Sequence, residues 1–296
     1  MSKPNWLISV ASWEERFRLG TLRILETEEI AHVSLFYYKE NEALTEANRK
    51  AVVDAFKEKG LNCEPIPISF EDPAASWHLL AAEAYAPATD RHPLLDITTM
   101  PRDTIWGLLA LLGINETPIP YAYHCPEDYG NWQSRDPGKP RLVYKLSGIA
   151  TLGRSTCLIV ATGFDPERTR QLMWHYEPSR VLLVFQTGEQ YDNANKNIEK
   201  HQRALKDEYQ EFDVTEHELD AYADDRGQSA LMKLASEQMK ECNVIMTSLG
   251  PKLGAIAMYE VHKALSETGL VYTPSGEFNP DYSKGLSKTI TGVVRP

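Results

Sequence analysis

Leu94-Leu-Asp-Ile-Thr-Thr-Met-Pro-Arg102 and Asn243-Val-Ile-Met-Thr-Ser-Leu-Gly-Pro-Lys252 read alike. Each starts as a short apolar run, passes two hydroxyl residues, and reaches a proline followed by a cation that opens a long apolar stretch. A buried strand, a tight turn and a helix start fit that order. The two prolines are 150 residues apart.

Other segments match at nearly the same offset. Thr156-Cys-Leu-Ile-Val-Ala-Thr162 matches the apolar run Trp6–Ala11. Gly163-Phe-Asp-Pro-Glu-Arg168 matches Ser12-Trp-Glu-Glu-Arg16 with one inserted residue. Arg180–Phe185 matches Val33–Tyr38, and Ala194-Asn-Lys196 echoes Ala47-Asn-Arg49. Leu231–Met239 matches the helix around His78, and Gly269–Tyr272 matches Ile119–Tyr123. Asp281, Tyr282 and Gly285 match Asp128, Tyr129 and Gly130. Even the tails agree, Lys145–Ile149 with Ile290–Val293. Segments matched in the same order point to a tandem duplication, with the boundary after Ile149: residues 1–150 and 151–296. Two copies are too few for a solenoid. The expected arrangement is two Rossmann-like domains related by a pseudo-twofold axis, as symmetric dimers are.

Within each half, apolar runs alternate with helical patterns. Helices are expected near Glu14, over Asn48–Lys59 up to Gly60, over Ser76–Tyr85 and over Arg102–Leu112. Cys63–Ile68 carries two prolines and belongs at a sheet edge. This is an α/β pattern, a mainly parallel sheet flanked by helices. Asn131–Pro140 reads as a polar, turn-rich loop, and Asp220–Arg226 as a solvated turn.

The chain has 296 residues, 31 basic and 42 acidic, for a net charge of −11. That balance argues against binding along a nucleic-acid duplex, which needs a basic face. It leaves room for a local basic pocket. No apolar run is long enough to span a membrane, and the N-terminus lacks a signal-peptide pattern. The four cysteines, Cys63, Cys125, Cys157 and Cys242, form no close pair and read as reduced thiols. A cytoplasmic protein is expected. The eight histidines show no metal-ligand spacing, so neither a metal nor a cofactor is expected. The loops of nucleoside triphosphatases, dinucleotide dehydrogenases and serine hydrolases are missing too.

Ligands in open parallel sheets bind beyond the carboxyl ends of the strands. Candidate residues are therefore those that follow the first and fourth strand of each half. After the fourth come Thr98, Thr99 and Arg102, and in the second half Thr247, Ser248, Gly250 and Lys252. Helix N-termini present unpaired N–H groups and a positive dipole end, hydroxyls donate to phosphate oxygens, and the cation adds charge. An ordinary helix cap explains the hydroxyl and the proline. It does not explain a first-turn cation in both copies. After the first strand come Ser12, Trp13 and Glu14, and Thr162, Gly163 and Asp165. Acidic residues there suit a helix start, so capping is a sufficient role. The alternative is that Glu14 or Asp165 holds a ribose hydroxyl or acts as a base. The rings of Trp13 and Phe164 occupy matched positions; such rings stack on nucleobases, although core packing is their commoner use. Tyr191-Asp-Asn-Ala-Asn-Lys196 is a further polar tip segment, a ligand contact or a helix cap.

The two turns Thr98–Arg102 and Thr247–Lys252 resemble the signature turn of the CRISPR-associated Rossmann-fold (CARF) sensor domains. There, hydroxyl, glycine and basic residues follow the fourth strand, and residues just after the first strand are used as well. The first copy departs from the pattern with Met100 at the glycine position. The resemblance implies paired Rossmann-like domains and a cyclic oligoadenylate ligand. The related SAVED sensors fuse two such halves in one chain. The expected function is thus a nucleotide-binding sensor in antiviral defence. With no effector domain read after Pro296, it would pass its signal to a protein partner. Two alternatives stand beside it. One is a metal-independent phosphodiesterase or nucleotide glycosidase, with Glu14, Asp165 or Glu167 as base and Lys252 steadying the anion. The other is a scaffold subunit of a larger complex.

Overall fold

The computed structural model describes residues 3–86, 90–115, 117–188 and 194–295, with the backbone alone at 115 and 194–196. The polar tip segment from Tyr191 to Lys196 therefore lies outside the described residues, apart from the backbone of 194–196.

Elements follow the expected alternation. The first stretch runs β1 (Trp6–Val10), α1 (Glu15–Thr27), β2 (His32–Tyr38), α2 (Glu42–Glu58), β3 (Ile66–Ile68), α3 (Pro73–Ala84), β4 (Pro93–Asp96), α4 (Arg102–Leu112) and β5 (Ile119–His124). Three short strands come next: β6 (Asp128–Tyr129), β7 (Ser134–Pro137) and β8 (Arg141–Leu142). The pattern then restarts with β9 (Thr156–Ala161), α5 (Pro166–Tyr176), β10 (Arg180–Gln186), α6 (Ala194–Ala204), α7 (Glu208–Glu211) and β11 (Asp213–Leu219). It continues through α8 (Gln228–Gln238), β12 (Asn243–Ser248), α9 (Lys252–Ala264) and β13 (Gly269–Tyr272), and ends with β14 (Ser275–Phe278), β15 (Ser283–Lys284) and β16 (Thr289–Val294).

Two six-stranded sheets result, and they share one strand order. The first is β16-β5-β4-β1-β2-β3; the second, read from the corresponding edge, is β8-β13-β12-β9-β10-β11. Within each, the five long-connected strands are parallel and the tail strand is antiparallel. The apolar runs explain the order. Every residue of β1 is buried, as is all of β9 after Thr156, and strands covered on both faces belong at the centre of a sheet. The proline-bearing β3 lies at an edge, as its sequence requires. The four cysteines are buried and free.

Each sheet carries its own core. In the first, Leu7, Leu35 and Leu94 pack with Phe17 and Ile24 of α1 and with Val52 and Phe56 of α2. In the second, Leu158, Val160, Leu183 and Phe185 pack with Leu172, Met173 and Leu205. Helix ends agree with local chemistry. Asp72 caps α3 through Ala75 N–H, with Pro73 just inside, and Asp165 caps α5 through Glu167 N–H, with Pro166 just inside.

Two segments differ from the sequence reading. Asn131–Pro140 is not simply a loop, because Ser134–Pro137 within it forms β7, paired with β14. Asp213–Leu219 forms β11, a strand the apolar-run criterion passes over. Among the described residues it pairs with β10 alone, as an edge strand, so its Asp-Val-Thr-Glu-His-Glu-Leu sequence keeps polar groups in water.

The chain forms two compact units: residues 1–133 with 278–296, and residues 134–277. This differs from a single division near 150 for a physical reason. The stretch 141–149 runs along β13, with Val143 N–H donating to Leu270 O (2.8 Å), Leu270 N–H to Leu146 O (2.8 Å) and Ile149 N–H to Glu267 O (3.1 Å). The tail strand β16 runs along β5, from Thr289 opposite His124 to Val294 opposite Ile119. Each half's tail completes the sheet built by the other half.

The core of the second unit carries a buried histidine with a measurable consequence. His201 is fully buried edge-on to Phe185 at 5.6 Å. Burial pushes its imidazole down from 6.5 to about 4. Above pH 6.5 it is neutral folded or unfolded and contributes no pH dependence. As pH falls toward 4, the unfolded chain takes up a proton that the folded chain refuses. Stability is therefore lost on acidification, by about 3 kcal/mol at the limit for a shift of this size. Urea unfolding at pH 7 and pH 4.5 should show a smaller acid loss for His201→Leu than for the parent chain. Equal losses would refute the assignment.

Candidate functional site

The carboxyl ends of the two central strands in each sheet place the expected residues. In the first unit, Ser12, Trp13 and Glu14 follow β1, and Thr98, Thr99 and Arg102 follow β4 and open α4. The Thr99 hydroxyl reaches back to Val10 O at 3.5 Å, which ties the two loops together. Ser12, Glu14 and Thr98 are buried, whereas Trp13, Thr99 and Arg102 are half-buried. The Thr98 hydroxyl oxygen accepts from His124 N–H at 3.0 Å, and the Thr98 N–H donates to the Asp96 carboxylate at 3.1 Å. Burial holds the His124 imidazole below its usual range, with Asp96 acting against that shift.

In the second unit, Thr162, Gly163 and Asp165 follow β9, and Thr247, Ser248, Gly250 and Lys252 follow β12 and open α9. The loops touch backbone to backbone. A Cβ on Gly163 would lie 2.3 Å from Leu249 O, and one on Gly250 would lie 2.7 Å from Thr162 O. Leu249 N–H also donates to Ala161 O at 2.8 Å. Thr162, Thr247 and Ser248 are buried, and Lys252 is half-buried. The Ser248 hydroxyl has no hydrogen-bond partner among the described residues. It lies 3.5 Å from where a Cβ on Gly254 would stand, beside the first turn of α9.

Helices α4 and α9 begin the same way. Pro101 and Pro251 are their N-caps, with nearly identical backbone angles and no side-chain hydrogen bond to the first turn. The N-cap residue of each helix is thus the proline and not a hydroxyl residue. Arg102 and Lys252 stand at the first helical position, against the sense of the helix dipole.

The three acidic residues considered as bases are all engaged. Glu14 Oε2 accepts from Arg16 (2.7 Å) and from the Ser283 hydroxyl (2.8 Å). Asp165 caps α5 and lies 3.9 Å from Arg168, and the exposed Glu167 pairs with Arg170. The Trp13 ring packs 4.5 Å from the Phe278 ring, and its indole N–H donates to Asn279 O at 3.2 Å. Phe164 is half-buried, and its carbonyl accepts from Lys200.

Two residues outside the expected set shape these loops. The Asn48 side-chain amide, on α2, donates to Ser12 O (3.1 Å), Trp13 O (2.9 Å) and Glu14 O (3.3 Å). The Asn197 amide, on α6, donates to Gly163 O at 3.2 Å. They are 149 residues apart. The sequence match of Ala47-Asn-Arg49 with Ala194-Asn-Lys196 was out of register by two residues; the spacing of the flanking motifs was the signal that pairs Asn48 with Asn197.

Among the described residues, no cluster of three or more His, Cys, Asp or Glu side chains is placed to hold a metal ion, and no helix is long and apolar enough to cross a membrane. No family model and no curated protein matches the chain. Among solved structures, it is similar to that of a Type III CRISPR defence DNA nuclease activated by cyclic oligoadenylate, at 9% identity and a TM-score of 0.57 over 87% of this chain. The chain spans 64% of the length of that nuclease chain. At this identity the likeness is one of fold: two parallel-rich α/β units of Rossmann-like build, shared with a CRISPR defence protein.

Proposed function

We propose that this chain is a CARF-type sensor that binds a cyclic oligoadenylate in antiviral defence and passes the signal to a protein effector. We take its two units to be products of a tandem duplication, each keeping a binding tip after its first and fourth strand. The observation that carries this reading is the pair of matching helix starts at α4 and α9. Each has a proline N-cap with nearly the same backbone angles and a cation at the first helical position. The fold likeness supports a nucleotide ligand, and the shared strand order supports the duplication.

Within this reading, Arg102 and Lys252 compensate phosphate charge, Thr99 and Ser248 supply hydroxyls, and the loop residues Ser12, Trp13, Glu14, Thr162, Gly163 and Asp165 wall the tips. Thr98, Thr247 and Gly250 set the turn beneath them. Binding without turnover is the favoured form, because Glu14, Asp165 and Glu167 all have standing partners.

Titration calorimetry with cyclic oligoadenylates of different ring size, and with linear oligoadenylate as the control, tests the proposal. The cyclic ligand should bind and leave the mixture intact by chromatography. Lys252→Ala should weaken binding about tenfold, the loss of one charge-assisted phosphate contact, and Lys252→Arg should restore most of it. No binding by any cyclic member, or equal binding by Lys252→Ala, would overturn the sensor reading. Cleaved ligand would favour the phosphodiesterase instead.

A further inference from the structure

We infer that Asn48 and Asn197 are positioning residues of the two tips: each holds the loop after the first strand of its unit in the shape that receives the ligand. The inference rests on the reading above, that these tips bind.

The chemistry starts from the side-chain amide. An Asn –NH2 carries two donor hydrogens and its oxygen accepts. Asn48 directs that one nitrogen at three successive backbone carbonyls, those of Ser12, Trp13 and Glu14, at 2.9–3.3 Å. A loop meets one point with three consecutive carbonyls only by curling around it. In a planar trans peptide the C=O and the following N–H point in opposite directions. Carbonyls gathered on Asn48 therefore turn the N–H groups of Trp13, Glu14 and Glu15 away from it. The Glu14 N–H is taken by the Ser12 hydroxyl at 3.2 Å. The turned-out N–H groups of Trp13 and Glu15 stand at the start of α1, where the dipole is positive. N–H groups turned out at the positive end of a helix suit an anion.

The second unit repeats the device with different side chains around it. Asn197 is buried on α6 and donates to Gly163 O at 3.2 Å. With Gly163-Phe-Asp set against Ser12-Trp-Glu, this carbonyl corresponds to Ser12 O, which Asn48 holds at 3.1 Å. The Phe164 N–H then faces away from Asn197. From the opposite side, Leu249 O lies against the Gly163 Cα so closely that no Cβ fits. The loop is thus pinned between the Asn197 amide and the turn after β12. The loop sequences differ, Ser-Trp-Glu in one unit and Gly-Phe-Asp in the other. The amide on the second long helix and the carbonyl it holds are the same in both. A residue needed only to stabilise a helix has no reason to reach across to this carbonyl twice.

Asn48→Asp and Asn197→Asp test the inference. Asp keeps the shape of Asn but offers acceptors in place of the donor, so it repels the carbonyls it should hold. Two readouts are taken on the full chain: affinity for cyclic oligoadenylate, and hydrogen exchange at the amides of Trp13, Glu15 and Phe164. Each variant should bind about tenfold or more weakly, with faster exchange in its own loop and an unchanged unfolding midpoint for the rest of the unit. Glu46→Gln, on the exposed face of α2, should change neither readout. Parent binding with undiminished affinity in both Asp variants would overturn the positioning role and leave the sensor reading standing. No binding by the parent would overturn both. Should Asn197→Asp fail to fold, Asn197→Ala removes the donor without adding a charge, and the same outcomes decide.

Discussion

Arg16→Ala should lower the stability of the first unit by about 3–5 kcal/mol, the usual cost of stripping one partner from a buried ion pair. The guanidinium is almost wholly buried. It reaches Glu14 (2.7 and 3.2 Å), the Ser283 hydroxyl (2.8 Å) and His124 O (3.2 Å), and it lies 6.0 Å over the Tyr129 ring. Burial works against its charge, but Glu14 and the phenols of Tyr123 and Tyr129 outweigh that, so it stays protonated throughout the accessible range. Truncation would leave the Glu14 carboxylate buried with only the Ser283 hydroxyl as a side-chain partner. Urea unfolding followed by the signals of the first unit measures the loss; the second unit should melt as before, so the chain as a whole need not unfold in one step. The paired variant Arg16→Met with Glu14→Gln removes both charges and should recover most of the stability. A loss below about 1 kcal/mol for Arg16→Ala would mean that the pair behaves like a surface salt bridge.

Gly163→Ala should destabilise the second unit by about 2–3 kcal/mol and blunt its tip. Here the methyl has nowhere to go. Its nearest neighbour is a carbonyl oxygen at 2.3 Å, with the carbon of the same group at 2.8 Å. Both belong to backbone, so no side-chain rotation relieves them. The turn after β12 must move, and α9 begins three residues beyond Leu249. Calorimetric melting reads the stability and oligoadenylate titration reads the tip. A variant as stable as the parent, with affinity retained, would show that the two loops are not in contact.

Much of the fold was legible because β1, β4, β9 and β12 are central strands, and a central strand in a parallel sheet carries a short apolar run. The helix starts at Arg102 and Lys252 were legible because proline followed by a cation punctuates sharply. Edges were harder. β11 alternates charge with a few apolar residues and has no signature beyond its partner β10. The short strand β7 is visible only through β14, more than a hundred residues away. For the site, residue types could point to loops but not to how each side chain is used. Thr98 reads as a phosphate donor and accepts a backbone N–H instead. Glu14 reads as a helix-start acid, with a base as the alternative, and is paired with Arg16 two residues on. Asn48 lies in a matched tripeptide, but its use and that of Asn197 were not legible, since a donor aimed at backbone carbonyls leaves its trace in spacing alone.

The crossed tails also set an order in time. As the chain leaves the ribosome, β1 to β5 emerge first, yet their sheet lacks its antiparallel edge until Thr289–Val294 has been made. Residues 134–277 emerge whole in between, with β8 already at hand to close their sheet. The later-encoded unit therefore has everything it needs first, while the earlier-encoded one waits with β5 uncovered. The unit of residues 134–277 thus has its closing strand before the unit of residues 1–133 and 278–296 receives its own.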